Sequence, residues 1–166
     1  MKKCWIILVL TLFLSGCGAQ ETFETVTDVY DVPAMAQMQQ VELALPEEAA
    51  LPSMESDDAG KLYLCDGYTL TVQTMEGGDL DSTLRQTTGF GRDQLTLMET
   101  QKNGTTRYDC VWSAAGEGGD HIGRAAVLDD GSYHYVVSVM AQADTAGELA
   151  DTWQDILDSV ALVSTG

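Results

Sequence analysis

The chain of 166 residues carries 26 Asp and Glu against eight Lys and Arg, a formal charge of −18, and 45% of its residues are apolar. Affinity for nucleic acid comes mainly from cations that neutralise phosphates, and anionic headgroups repel a surface of this sign. DNA and RNA are therefore excluded as partners, as is attachment to a membrane by surface charge alone. The apolar content suffices for a packed core, and the length suits one domain with a tether.

Lys2 and Lys3 precede an apolar run over residues 4–14. The run fits the ~7–15 residue core of a secretory signal and falls short of the ~20 residues of a spanning helix. It has no polar face of the kind a core helix needs. It ends in Leu14-Ser15-Gly16-Cys17. These four residues resemble the lipobox of bacterial lipoproteins. That resemblance implies a diacylglyceryl group on the Cys17 sulfur, cleavage before Cys17 by a dedicated signal peptidase and, in many bacteria, acylation of the new amine, for instance by palmitate. Small residues beside the scissile bond leave room for lipid and protease together. Each buried CH₂ contributes about 0.8 kcal/mol, so one acyl chain holds reversibly while two or three on one residue hold effectively permanently. The alternative is an unmodified Cys17 after an ordinary signal.

Residues 1–16 are thus expected to be a signal peptide. The remaining chain has six basic residues (Lys61, Arg85, Arg92, Lys102, Arg107, Arg124) against 26 acidic ones, a formal charge of −20. Residues 17–40 read as a lipidated tether spanning roughly 25–30 Å as a coil, with a short ordered piece near 32–38. Residues 41–166 form the domain.

Within the domain, "VELALP" (41–46) alternates as a strand, and the proline- and acid-rich stretch after it reads as a loop. "KLYLCDG" and "YTLTVQTME" form two strands joined near Asp66-Gly67. "DLDSTLRQTTG" predicts a short helix with Asp79 as N-cap, Leu80, Thr83 and Leu84 inward, and Gly89 as the stop. Asn103-Gly104 predicts a two-residue hairpin turn, pairing Lys102 with Thr105, Glu99 with Tyr108, Leu97 with Cys110 and Leu95 with Trp112. Asp130-Gly131 predicts a second hairpin, pairing Asp129 with Ser132, Leu128 with Tyr133 and Ala126 with Tyr135. It puts Leu128, Tyr133, Tyr135, Val137 and Val139 on one face, with Val127, Val136 and Met140 on the other. A sheet apolar on both faces needs cover on both. One cover is an amphipathic helix over 144–160, with Thr145 to Glu148 as capping box and Leu149, Ala150, Trp153, Ile156, Leu157 and Val160 as its stripe. Asp151, Asp155 and Asp158 lie opposite. Residues 160–163 return as a last strand.

The fold class is therefore α+β: an antiparallel sheet of about six or seven strands with a C-terminal helix packed on it and a shorter helix elsewhere. This element order over residues 41–164 resembles the PsbP-like α/β/α sandwich. The resemblance implies an accessory or binding role and supplies no catalytic residues.

Cys65 and Cys110 are the cysteines left for an oxidising compartment, where a disulfide is expected. It would close a loop of about 45 residues and stabilise by roughly 3–4 kcal/mol. The alternative is a reactive cysteine paired with His121 or His134, but no helix N-terminus lies nearby to lower a thiol pKa. The two histidines are expected on different faces, which disfavours a two-histidine metal site. Glu-Gly-Gly-Asp occurs at 76–79 and 117–120. Glu76, Asp79, Asp81, Glu117 and Asp120 are weak Ca²⁺ candidates, against the plainer reading of two turns. Tyr108, Trp112, Tyr133 and Tyr135 pack the sheet or line a groove. The chain has no Cys-x-x-Cys, G-x-S-x-G, G-x-G-x-x-G or Walker loop.

These features predict no metal and no cofactor beyond the covalent lipid. They predict a lipid-anchored, extracytoplasmic, non-enzymatic domain that binds an envelope protein or a small ligand. A surface hydrolase with a carboxylate pair and a structural part of an envelope complex are the rivals.

Overall fold

The computed structural model describes residues 37–49, 51–56, 60–116 and 118–164. The expected signal, Cys17 and the tether as far as residue 36 lie outside the described residues. Nine strands and two helices are described: β1 (Gln40–Glu42), β2 (Met54–Ser56), β3 (Gly60–Leu64), β4 (Tyr68–Glu76), α1 (Leu80–Thr88), β5 (Leu97–Lys102), β6 (Thr105–Gly116), β7 (Gly119–Asp129), β8 (Tyr133–Gln142), α2 (Ala150–Asp158) and β9 (Ala161–Val163). Seven strands form one antiparallel sheet in the order β2-β3-β4-β8-β7-β6-β5, and β1 pairs with β9 in a separate ribbon.

The large sheet is apolar on both faces, and each face has its own core. On one, Leu70, Leu128, Tyr135, Val137 and Val139 pack against Trp153, Ile156 and Leu157 of α2, with Val41 and Leu162 of the ribbon at the margin. On the other, Cys110, Trp112, Val127 and Val136 pack against Leu80 and Leu84 of α1. The fold class is the expected one, and alternate residues of β7 and β8 divide between the faces as their alternation predicts.

Local chemistry explains the elements. The Asp79 carboxylate caps α1 by accepting from the Asp81 N–H at 3.1 Å, and Gly89 ends it in the left-handed region. Leu80, Thr83 and Leu84 face inward as expected, joined by Thr88. Asn103 and Gly104 both take positive φ, 53° and 83°, as the tight turn requires. The turn sets Lys102 opposite Thr105, Glu99 opposite Tyr108 and Leu97 opposite Cys110. Leu95 precedes β5 and packs beside Trp112 without a ladder position. Trp112 lies flat over β7, where a Cβ on Gly123 would come within 2.3 Å of its ring.

Four expectations need correction. The second hairpin has a four-residue loop: Asp129 pairs with His134, and Leu128 with Tyr135. Carboxylates cause the change, because Asp129 accepts from Gly131 N–H, and Asp130 from Ser132 and Tyr133 N–H. The shift is even in residue count, so every side chain keeps its face. The C-terminal helix begins at Ala150, not 144, and the capping box does not form. Instead the Thr145 hydroxyl and the Thr145 and Ala146 N–H groups all donate to the Gln142 carbonyl, turns that bury Ala146 and leave Ala150 exposed. The loop after β1 contains a 3-10 turn at Glu47–Ala49 and the edge strand β2. Ala49 is 1% exposed and anchors that loop to the core.

The fourth correction concerns His134. It shares a face with His121, at the opposite end of the ladder. His134 is 1% exposed, with Nδ1 2.7 Å from Thr83 Oγ1 of α1 and Nε2 3.6 Å from Asp129. A threonine, a histidine and an aspartate in this order resemble a nucleophile relay, but Thr83 is itself 4% exposed. The contact is a polar rivet between α1 and the sheet. Thr83→Val leaves the imidazole nitrogen buried without its partner and should destabilise the protein by about 1–3 kcal/mol in denaturant titration.

Candidate functional site: a trough over β5 and β6

Helix α2 covers the β4, β8 and β7 portion of its face. No residue of β5 or β6 belongs to the core beneath it. The outer part of that face is therefore open, and two neighbouring hollows, together called the trough, lie along it beside α2 and β9. One lobe, of about 370 Å³, is lined by Met98, Asp109, Val111, Arg124 and Leu157. The other, of about 440 Å³, is lined by Gln39, Thr100, Lys102, Arg107, Asp158 and Leu162. Both volumes fall in the range of ligand sites.

Three of the chain's basic residues line the trough. Arg107 forks onto Asp109 at 2.8 and 2.7 Å, and that hydrogen-bonded carboxylate, aided by Asp158, holds the guanidinium in its charged form. Arg124 donates to the neutral Gln154 amide at 2.6 Å. Among the described residues, neither Arg124 nor Lys102 makes an ion pair. Met98 and Val111 are 64% and 56% exposed on the floor. In a chain of charge −18, this sets Arg124 and Lys102, outside ion pairs among the described residues, beside exposed apolar surface. The sequence signal was indirect: the Asn103-Gly104 register puts Thr100, Lys102, Arg107 and Asp109 on one face, but no motif marks them.

Asp130 fixes the rim of the second lobe. Its carboxylate accepts from the Ser132 and Tyr133 N–H groups, from the Tyr135 hydroxyl at 2.9 Å and from Gln39 Nε2 at 3.0 Å, while the Gln39 N–H donates to Tyr135 Oη. Burial pushes the Asp130 carboxyl up, but these hydrogen bonds outweigh it and hold it below the usual range. Burial likewise pushes the Tyr135 phenol up to about 12.

The other sequence candidates lie elsewhere. Glu76 sits at the end of β4 next to the β7–β8 loop, and Asp79 and Asp81 lie beside it on α1. Asp81 is already committed to Arg85 and the Arg92 N–H. Asp120 lies at the far end of the sheet on β7, so the two Glu-Gly-Gly-Asp copies are not brought together. Glu117 is outside the described residues. Among the described residues no cluster of three His, Cys, Asp or Glu is placed to hold a metal. The four aromatics also divide: Tyr133 and Tyr135 pack on the α2 face, Tyr108 and Trp112 on the α1 face, so they do not line one groove.

The expected disulfide is not supported. Cys65 and Cys110 are both free thiols. Cys65, in the β3–β4 turn, packs on the α2 face, and Cys110 lies in the α1-face core, so the sheet separates them. Burial raises both thiol pKa values, Cys110 to about 11, which opposes thiolate chemistry with either histidine.

These features define an α+β sandwich with an open, hollowed half-face. No protein-family model matches the chain, and no curated protein does. Among solved structures the chain is similar to LpqN of Mycobacterium tuberculosis, a protein involved in cell envelope biogenesis, with a TM-score of 0.53 at 13% identity, covering 77% of this chain and 86% of LpqN. That likeness shows a shared fold. Among the described residues no helix is long and apolar enough to cross a membrane.

Two outcomes follow from this geometry. Intact-mass analysis after alkylation should find Cys65 and Cys110 both reduced, with Cys65 labelled first and Cys110 only on unfolding; a product two protons lighter contradicts the placement. Asp130→Asn should cost about 1 kcal/mol at pH 7. A carboxyl held low in the fold contributes stability above its unfolded pKa, near 3.9. The contribution fades as pH falls through the folded value, so the stability gap between mutant and parent should close as acid titration passes below the unfolded pKa.

Proposed function

We propose that the chain is an extracytoplasmic lipoprotein of a bacterial cell envelope, held by lipid on Cys17, whose domain binds a partner or ligand and does not catalyse. The observation that carries the binding role is the trough, with Arg124 and Lys102 outside ion pairs among the described residues and with exposed Met98 and Val111. The Leu14-Ser15-Gly16-Cys17 sequence supports the anchor. The shared fold with LpqN, a protein involved in cell envelope biogenesis, is consistent with such a location.

Carboxylate-pair hydrolysis finds little support. Asp109 and Asp158 face the trough from different elements, but both oxygens of Asp109 are engaged by Arg107. At Asp81 and Asp130 hydrogen bonds hold the carboxyl below its usual range, away from the neutral form that a general acid needs.

With two or three acyl chains the protein should sediment with membranes. Cys17→Ala should move nearly all of it to the soluble fraction while leaving the melting temperature of the domain unchanged. Retention of the variant on membranes would sink the anchoring proposal.

A further inference from the structure

The reading of the trough as a binding surface can be taken further, because the spacing of its charges restricts what fits. Arg124 stands opposite Val111 and Lys102 opposite Thr105, with Arg107 between. Six residues of β6 separate the outer positions, about 20 Å at ~3.3 Å per residue. One carboxylate or phosphate cannot meet both ends, so the complementary ligand is long. It is not uniformly anionic, because Asp109 and Asp158 face the same trough. A polyanion would be forced against both. It is not purely polar either, because Met98 and Val111 on the floor offer exposed apolar surface for a ligand to cover.

We propose that the trough takes an extended segment of a partner protein, carrying acidic and apolar side chains, laid along β5 and β6 beside α2. This inference rests on the reading of the trough as the binding surface. A polypeptide can place a carboxylate at Arg124 and another at Lys102, an uncharged residue over Asp109, and apolar side chains on Met98 and Val111. The remaining surface, overwhelmingly acidic, repels such a segment elsewhere and so confines it to the trough.

The test uses the mature lipoprotein in neutral detergent micelles, titrated with three probes: a dodecapeptide of valine and serine carrying two glutamates six residues apart, its counterpart with lysines in place of the glutamates, and inorganic polyphosphate of similar length. The glutamate peptide should bind and the lysine peptide should not. The Lys102→Glu/Arg124→Glu double variant, chosen because neither side chain is in the core, should keep its circular dichroism and melting temperature and lose affinity by at least about tenfold. Met98→Asp should also weaken binding. The proposal is overturned by no binding of the glutamate peptide, by equal binding to the double variant, or by polyphosphate displacing the peptide at equal charge. A dimer of the free protein that the double variant abolishes would assign the trough to a second copy and overturn it as well. Polyphosphate binding would preserve a binding role while excluding the peptide, and none of these outcomes bears on the Cys17 partition result.

Discussion

A sheet with two apolar faces and one helix for each is the constraint from which the rest of this structure follows. Seven strands spaced about 4.8 Å apart make a sheet near 30 Å wide, whereas a helix with its side chains spans 10–12 Å. One helix therefore covers two or three strands. On its face α2 lies over the centre and the β1–β9 ribbon extends the cover along one margin. Strands β5 and β6 are left with exposed Met98 and Val111 because none of the other described elements covers them. The trough is the residue of that shortage of cover, and its floor is rigid because it belongs to a continuous ladder.

Charge shapes the same molecule in a second way. With few cations to pair with, the carboxylates that the fold uses turn to backbone N–H groups. Asp79 caps α1, Asp81 takes the Arg92 N–H, Asp129 takes Gly131 and Asp130 takes Ser132 and Tyr133. Such bonds are charge-assisted, and at Asp79, Asp129 and Asp130 they hold the backbone without consuming a lysine or arginine, whereas Asp81 also pairs with Arg85. The cations of the trough are consequently not needed to neutralise these loop carboxylates.

How much could be read from residues alone follows from the range of the interactions involved. The α1 caps and the Asn103-Gly104 register are local, governed by side chains within a few residues of the backbone they fix, and were legible. The split of β7 and β8 between two cores followed from a period of two, which survives an even slip. The slip itself was not legible, because Asp-Asp-Gly-Ser serves both a two-residue turn and a carboxylate-bridged four-residue loop. The late start of α2 depends on Ala146 reaching the core, and the Cys65–Cys110 separation on which face each strand presents. Both are tertiary facts. The trough was hidden for a further reason: its residues come from β5, β6, β7, α2 and β9, and they become one site only once strand order is known.

Net charge and local charge act over different distances, and this decides how such a site works. At physiological ionic strength the screening length is about 8 Å. A segment already in the trough feels Arg124 and Lys102 and little of the distant carboxylates. An approaching acidic partner meets the screened field of the whole domain, which slows encounter and leaves contact energy largely intact. The proposed tethering would offset that penalty, because two proteins confined to one membrane surface meet at an effective concentration set by their tethers, not by dilution in the surrounding medium. A strongly acidic domain with a basic trough is thus poorly suited to capturing acidic segments from solution. It would suit exchange between neighbours on one surface, the arrangement in which the proposed lipid on Cys17 and the proposed binding in the trough would act together.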